Sequence, residues 1–204
     1  MLLNLRRSLV FAAVALVITF GYALLGTGVS QLFFKSTADG SITPSGSTLI
    51  GQNWAQARCP GHPLGSCVFH GRPDDTGPYA TASNVPHGDN PLEANGVAGE
   101  SGATNLGPRS SYLVTYTKEL VQYWHRLGVT PTADLVTTSG SGLDPDISPQ
   151  DAIVQIPMVS RATGVAPSVL RGLIARETHS AVWGFLGSKY IVVLQLNEAL
   201  AKLH

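Results

Sequence analysis

Charge is scarce in this chain. Charged residues make up 13% of its 204 positions, with 13 basic side chains against 13 acidic ones, so the formal net charge is zero. Without a basic excess there is no electrostatic footprint for a nucleic-acid backbone, and nucleic acid is excluded as a partner. Common catalytic signatures are missing as well. The sequence holds no Gly-x4-Gly-Lys-[Ser/Thr] phosphate loop, no Gly-x-Ser-x-Gly nucleophile turn and no His-Glu-x-x-His metal helix. No period of 20 to 50 residues repeats, which excludes a solenoid. Cysteine is limited to Cys59 and Cys67.

What the chain has in quantity is apolar residues, at 44%, and they are concentrated at the start. Ser8 to Leu25 carries no charge, and the uncharged run continues to Phe34 before Lys35. About 20 apolar residues cross a hydrocarbon core of about 30 Å, so this run suffices for one tilted transmembrane helix. Signal peptides share the basic start and apolar middle, but here no Ala-x-Ala-like site closes a short run, which favours an uncleaved anchor. A buried core helix fits less well, because nothing polar interrupts Ser8 to Leu25 to give it an outer face. Arg6 and Arg7 precede the run, and Lys35 is soon followed by Asp39. The positive-inside rule therefore places the N-terminus in the cytoplasm and the rest outside. The expected organisation is a cytoplasmic N-terminus over 1–8, an anchor over 9–34 and an extracytoplasmic domain over 35–204.

Residues 36 to 109 are punctuated by Gly, Pro, Ser and Asn, and predict short strands and long loops around Ser47–Gly51 and Cys67–Phe69. Tyr112, Tyr116, Leu120, Tyr123 and Leu127 then recur at spacings of three and four, predicting an amphipathic helix ended by Gly128. A strand is expected at Val136–Thr138, followed by the glycine-polar loop Ser139 to Asp144 and a helix start at Ser148-Pro149, with Asp151 completing a capping box. The second helix presents Ala152, Ile153, Ile156 and Val159, carries Pro157 as an internal kink and stops at Gly164. A third, opened by Pro167, presents Val169, Leu170, Leu173 and Ile174. A strand over Tyr190–Leu194 then leads into a C-terminal helix with Leu196, Leu200 and Leu203. The predicted fold is one N-terminal transmembrane helix followed by an α/β (α+β) domain.

Cys59, His62, Cys67 and His70 give Cys-x2-His-x4-Cys-x2-His, four metal-capable side chains within twelve residues. The spacing matches no common zinc module, and an exported pair of cysteines favours a disulfide over free thiols or metal. Asp144 and Asp146 flank Pro145 without the spacing of a calcium loop, so turn and helix-dipole roles are expected of them. Glu177 and His179 would diverge on a helix and are read as surface groups. Backbone amides in the loop Ser139 to Asp144 could favour an anion, although no lysine sits inside it. The Asp-Lys-Thr-Gly-Thr phosphorylation motif of P-type pumps is absent too, and the chain reads as non-catalytic on its own.

Four blocks, in order, resemble the KdpC family, the C subunit of the bacterial ATP-driven potassium pump. They are Gly46-Ser-Thr-Leu-Ile-Gly51-Gln52, Phe69-His-Gly71-Arg72-Pro73, Ser101-Gly-Ala-Thr-Asn105-Leu106-Gly107-Pro108, and Ser139-Gly140-Ser-Gly142-Leu143-Asp144-Pro145-Asp-Ile-Ser-Pro149. The last runs on through Gln155-Ile-Pro157, Gly184-Phe-Leu-Gly187 and Val193-Leu-Gln-Leu-Asn197. The chain departs from the family pattern at the Cys59 to Cys67 insertion, Ala103, Arg109 and Met158. The resemblance implies a single-pass, non-catalytic subunit of the bacterial inner membrane, embedded in lipid. Its implied partners are a potassium-selective pore-like subunit, a P-type ATPase subunit and a small one-span subunit. It also implies a catalytic chaperone that raises ATP affinity through a shared nucleotide complex; the predicted topology, which puts the glycine loop outside the cytoplasm, favours instead a subunit that stabilises assembly and caps the extracytoplasmic side of the pore-like subunit. An exported binding module unrelated to transport is a third reading. No intrinsic cofactor is expected, and ATP enters only through the catalytic subunit. If nucleotide is touched, the positions carried over are Ser139, Gly140, Gly142, Asp144 and Gln155.

Overall fold

A computed structural model describes residues 2–52, 54, 57–73, 103 and 105–203. Within the third resemblance block Ser101, Gly102 and Thr104 lie outside the described residues, as does part of the loop-rich region expected between 36 and 109. The chain divides into two compact units, Met1–Thr43 and Pro44–His204.

The first unit is dominated by α1 (Leu2–Phe33). At ~1.5 Å per residue, the 30 residues Asn4–Phe33 run to about 45 Å, longer than the ~30 Å of a bilayer's hydrocarbon core. By length and composition α1 is able to cross a membrane, and none of its apolar window is buried in the protein. Two of its hydroxyls are satisfied locally. Thr19 donates to Ala15 O at 2.8 Å and Thr27 to Ala23 O at 3.0 Å, so neither would face hydrocarbon unpaired. After α1 comes the single turn α2 (Lys35–Ala38). The Asp39 carboxylate accepts from Lys35 at 2.7 Å and Gln31 at 3.0 Å. Those two hydrogen bonds, Lys35 foremost, hold the Asp39 carboxyl below its ordinary pKa. The two-residue strand β1 (Ile42–Thr43) closes the unit.

The second unit is mainly helical among the described residues, with strands only two residues long: β2 (Gly46–Ser47), β3 (Asp146–Ile147) and β4 (Ile191–Val192). This mixture of helices and a few short strands is consistent with the expected α/β (α+β) domain, with the helices dominant. Helix α3 (Ser111–Arg126) begins where the Ser110 hydroxyl accepts from Leu113 N–H and is followed by Gly128 at φ +73°. Helix α4 (Pro149–Thr163) starts with the expected capping box: Ser148 N–H donates to Asp151 Oδ2 at 2.7 Å, and Asp151 N–H donates to Ser148 Oγ at 3.2 Å. It continues through Pro157 and ends at Gly164 in the left-handed region. Helix α5 (Pro167–Glu177) packs against α4, and α6 (Val193–Leu200) packs against α5.

The core joins Leu120 and Trp124 of α3, Ile156 and Val159 of α4, Leu170 and Leu173 of α5, and Leu196 and Leu200 of α6. Burial of apolar surface on these faces at ~25 cal/mol per Å² is the principal force holding the helices together. Several expected core positions are instead exposed: Tyr112, Ile153, Val169 and Leu203. Tyr112, Ile153 and Val169 lie at the rim of an apolar stripe, where periodicity alone cannot tell the buried edge from the open one, and Leu203 lies beyond the end of α6 at Leu200.

Three strand expectations are also corrected. The residues Asp134–Val136 form a 3-10 turn, because the Trp124 indole N–H donates to Leu135 O at 2.9 Å and tucks that turn against α3. Pairing in the C-terminal run stops at Val192, and Val193 and Leu194 already belong to α6. Cys67 lies in a turn, and the main chain at Phe69 joins no strand, for a reason that lies in the site itself.

Candidate functional site

Residues from separate parts of the chain converge on the segment Phe69-His70-Gly71-Arg72-Pro73. Two buried side-chain amides hold it where a neighbouring strand would otherwise stand. Asn197 of α6 accepts from Phe69 N–H at 2.8 Å and donates to Phe69 O at 2.8 Å. Gln155 of α4 does the same one residue on, accepting from His70 N–H at 2.8 Å and donating to His70 O at 3.0 Å. The backbone groups of Phe69 and His70 are thereby satisfied without a sheet, as buried peptide groups require. Gln155 is fully buried and also donates to Asp151 O at 3.2 Å.

The His70 ring is buried in the same layer, with its edge to Trp124 at a centroid separation of 5.3 Å. Its Nε2 lies 2.7 Å from Gly65 O; a carbonyl can only accept, so that nitrogen carries the proton. Burial drives the His70 pKa down to about 4 against a smaller opposing effect of the Gly65 hydrogen bond, and the ring is neutral at pH 7. Cys59 and Cys67 are joined by a disulfide that closes the adjoining loop. Among the described residues no cluster of His, Cys, Asp or Glu is arranged to hold a metal.

Arg72 reaches the next block. Its guanidinium donates to Thr137 O at 3.3 Å, to Thr137 Oγ1 at 3.2 Å and to Thr138 O at 3.1 Å, with Asp134 Oδ1 at 3.7 Å. A planar fork suits two neighbouring main-chain carbonyls and the hydroxyl between them. Gly51 docks from the other side, donating to Leu143 O at 2.8 Å. Gly71 faces Val193 and the carbonyl of Asp144. The Gln52 side chain lies against Gly46, filling the space a side chain there would need.

The loop Ser139 to Asp144 is closed by its own hydroxyls. Ser139 Oγ accepts from Gly142 N–H at 2.9 Å, and Ser141 Oγ accepts from Leu143 N–H at 3.2 Å. Gly142 adopts φ +68°, Ser139 is buried and Gly140 is exposed. Asp144 Oδ1 accepts from Asp146 N–H at 3.1 Å, making the turn around Pro145. Asp146 itself is half-buried with its Oδ1 out of water and without a hydrogen-bond donor. Burial first and the Asp144 charge second push its pKa up to about 6, against a smaller pull from His179.

Thus Ser139, Gly142, Leu143, Asp144, Pro145, Gln155, Gly51, Gly71 and Arg72 belong to one network of turns and clasps. The block at Asn105 is placed differently. Asn105 takes φ +53° and donates to Ala103 O at 2.9 Å; Gly107 and Pro108 are exposed, and Gly107 O accepts from Ser110 N–H at the entry to α3. The roles of Asn197 and His70 were the hardest to anticipate. A signal existed for the first: Asn197 lies between Leu196 and Leu200 on an otherwise apolar face, as Gln155 does between Ala152 and Ile156. A polar residue inside a core stripe needs partners, though sequence does not say which.

The hydrogen bonds among these described residues lock loops onto helices. Comparison with known proteins extends over the same residues. The family model "K+-transporting ATPase, c chain" (KdpC) matches residues 5–202. Among curated relatives, a potassium-transporting ATPase KdpC subunit of Methylorubrum populi is 37% identical over 211 residues, covering 100% of this chain and 98% of the relative. The subunit of the same name from Koribacter versatilis is 36% identical, covering 95% of this chain and 92% of the relative. That of Gloeobacter violaceus is 36% identical, with 88% and 85% covered. The matched span takes in both the apolar helix and the clasped loops, and the chain belongs to the KdpC family, the c chain of the K+-transporting ATPase.

Proposed function

We propose that this chain is the non-catalytic accessory subunit of a bacterial ATP-driven potassium uptake complex. In this reading α1 anchors it in the inner membrane as a single pass, with Arg6 and Arg7 on the cytoplasmic side and the helical domain outside. The domain stabilises the assembly and caps the extracytoplasmic side of the potassium-selective subunit, beside the P-type ATPase subunit and the small one-span subunit. The observation that carries this is the family match, which runs unbroken from the apolar helix to the last helix of the domain.

The domain's chemistry supports a scaffold rather than a nucleotide contact. The amides of Gly142 and Leu143, which would have to face a phosphate, donate to serine hydroxyls of their own loop. Gln155 is buried with its amide engaged on the main chain. ATP then belongs to the catalytic subunit, and the catalytic-chaperone reading, with Ser139, Gly140, Gly142, Asp144 and Gln155 on the nucleotide, is the weaker one.

The test is purification of the full chain through a C-terminal tag. Recovery of a large P-type ATPase chain and a multi-span partner is expected, and their absence would favour an exported binding module unrelated to transport. In intact spheroplasts, added protease should digest the domain; protection would overturn the cap.

A further inference from the structure

A hairpin leaves the domain core after α5 and returns to it at β4. At its base the main chains of His179 and Tyr190 pair through bonds of 2.8 and 3.2 Å, and their rings stack with centroids 4.9 Å apart. Nearer the tip Val182 and Leu186 pair through bonds of 2.9 and 3.0 Å, and Gly184 N–H donates to Ala181 O at 2.9 Å. Trp183 at φ +54° and Gly184 at φ +81° make the turn. Ile191, the next residue after the base, is fully buried. The hairpin is therefore fixed at its root and internally bonded to its end.

Its tip is apolar and faces solvent. Trp183 is 81% exposed, Phe185 73%, Val182 58% and Leu186 47%. Single exposed apolar residues are ordinary, but four on one bonded hairpin form a patch that asks for an occupant. Charge says which. From Thr178 to Asn197 there is no carboxylate, and the one permanently charged side chain is Lys189. Tryptophan and tyrosine beside a lysine are the side chains that settle at a bilayer's headgroup level, where ring and ammonium each find a partner. The chain also carries α1, a helix long and apolar enough to cross a bilayer.

We propose that the Val182–Leu186 hairpin seats in the headgroup boundary of the bilayer that α1 crosses, with Trp183 and Phe185 entering the acyl region and Lys189 meeting lipid phosphate. The inference rests on α1 being the membrane anchor and is independent of which subunits the domain caps.

The test uses the full chain in nanodiscs of phosphatidylcholine and phosphatidylglycerol, with or without brominated acyl chains. The chain has three tryptophans. The difference between wild type and Trp183→Phe isolates Trp183 from Trp54 and from Trp124, whose burial in the core reports that the variant is folded. Brominated lipid should extinguish the Trp183 emission while aqueous acrylamide leaves it largely intact, and Lys189→Glu should weaken the lipid quenching in anionic discs. Quenching by acrylamide but not by brominated lipid would overturn the proposal. So would protection from both that develops only with co-purified subunits, which would assign the hairpin to a protein cleft. A chain that does not enter the discs fails at the anchor and takes the proposal with it. A chain that enters with Trp183 unquenched by lipid fails at the hairpin alone.

Discussion

Gly51 and Asp144 meet backbone to backbone: a Cβ at position 51 would stand 2.8 Å from the Asp144 carbonyl oxygen. Real Cβ atoms do not approach a main-chain oxygen so closely, and neither backbone is free to retreat while Gly51 N–H donates to Leu143 O. The glycine is required by space rather than by dihedral angle. Gly51→Ala is expected to cost about 1 to 3 kcal/mol of overpacking strain. Gly140, exposed and with open space around its Cβ position, should accept alanine within about 0.5 kcal/mol. Thermal melts of the two variants check the contrast, and equal losses would refute it.

The two amide clasps make a second prediction. Asn197→Ala strands the buried N–H and C=O of Phe69, at a cost on the order of 2 to 3 kcal/mol. Gln155→Glu retains an acceptor for His70 N–H but turns a carboxylate oxygen toward the carbonyls of His70 and Asp151. Burial and those carbonyls raise the folded-state pKa of such a Glu, so its destabilisation should grow as pH rises from 4 to 7. Because the clasps hold adjacent residues, the double variant should lose less than the sum of the singles. Denaturant titration at both pH values reads all three.

Arg72 is expected to resist conservative replacement. Arg72→Lys keeps the charge but cannot hold Thr137 and Thr138 with one planar fork, and should lose about 1 to 3 kcal/mol. Asp134→Asn should change stability by under about 1 kcal/mol, since the half-exposed pair at 3.7 Å is a surface ion pair. If Asp134→Asn proves the more damaging, the stabilisation comes from charge rather than from the fork.

His70 and Asp146 bend the pH profile in opposite directions. His70 has a folded-state pKa of about 4 against an ordinary 6.5, so the unfolded chain binds more protons between those values. The stability it contributes is complete above pH 6.5 and is lost as pH falls toward 4, an effect on the order of 3 kcal/mol. Asp146 has its folded pKa raised from 3.8 to about 6. The folded state therefore binds the extra proton, and stability declines as pH rises through that window. Asp146→Asn should stabilise the domain at pH 7, with the gain vanishing by pH 4. His70→Phe should flatten the acid limb of the wild-type curve. Melting temperatures taken from pH 4 to 7 test both signs, and an Asp146→Asn gain that persists at pH 4 would show the cause is not the carboxylate charge.

Features that depend on local pattern were legible in the residues themselves. The uncharged run before Lys35 defines an apolar helix, because length and the absence of charge decide whether a segment can span a bilayer. Ser148, Pro149, Asp151 and Gly164 set the ends of α4, since caps act over three or four residues. The strands were less legible. Val136 has strand propensity, yet the Trp124 indole draws Leu135 O into a turn; β propensity is weak against such a tertiary bond.

Motif spelling was enough to relate the chain to its family, but not to say why those residues are needed. Gln155 sits 85 positions from His70 and Asn197 sits 128 from Phe69, and nothing in a local window reports which main-chain segment a buried amide will clasp. The sequence by itself determined an apolar helix long enough to cross a bilayer, the ends of α4 and the family, all set by neighbouring residues in the chain. Only the tertiary structure decided that the glycine loop closes on its own serines and that Gly51 yields its space to Asp144. It also decided that two side-chain amides replace a β-strand, because each depends on groups that folding alone brings within hydrogen-bond reach.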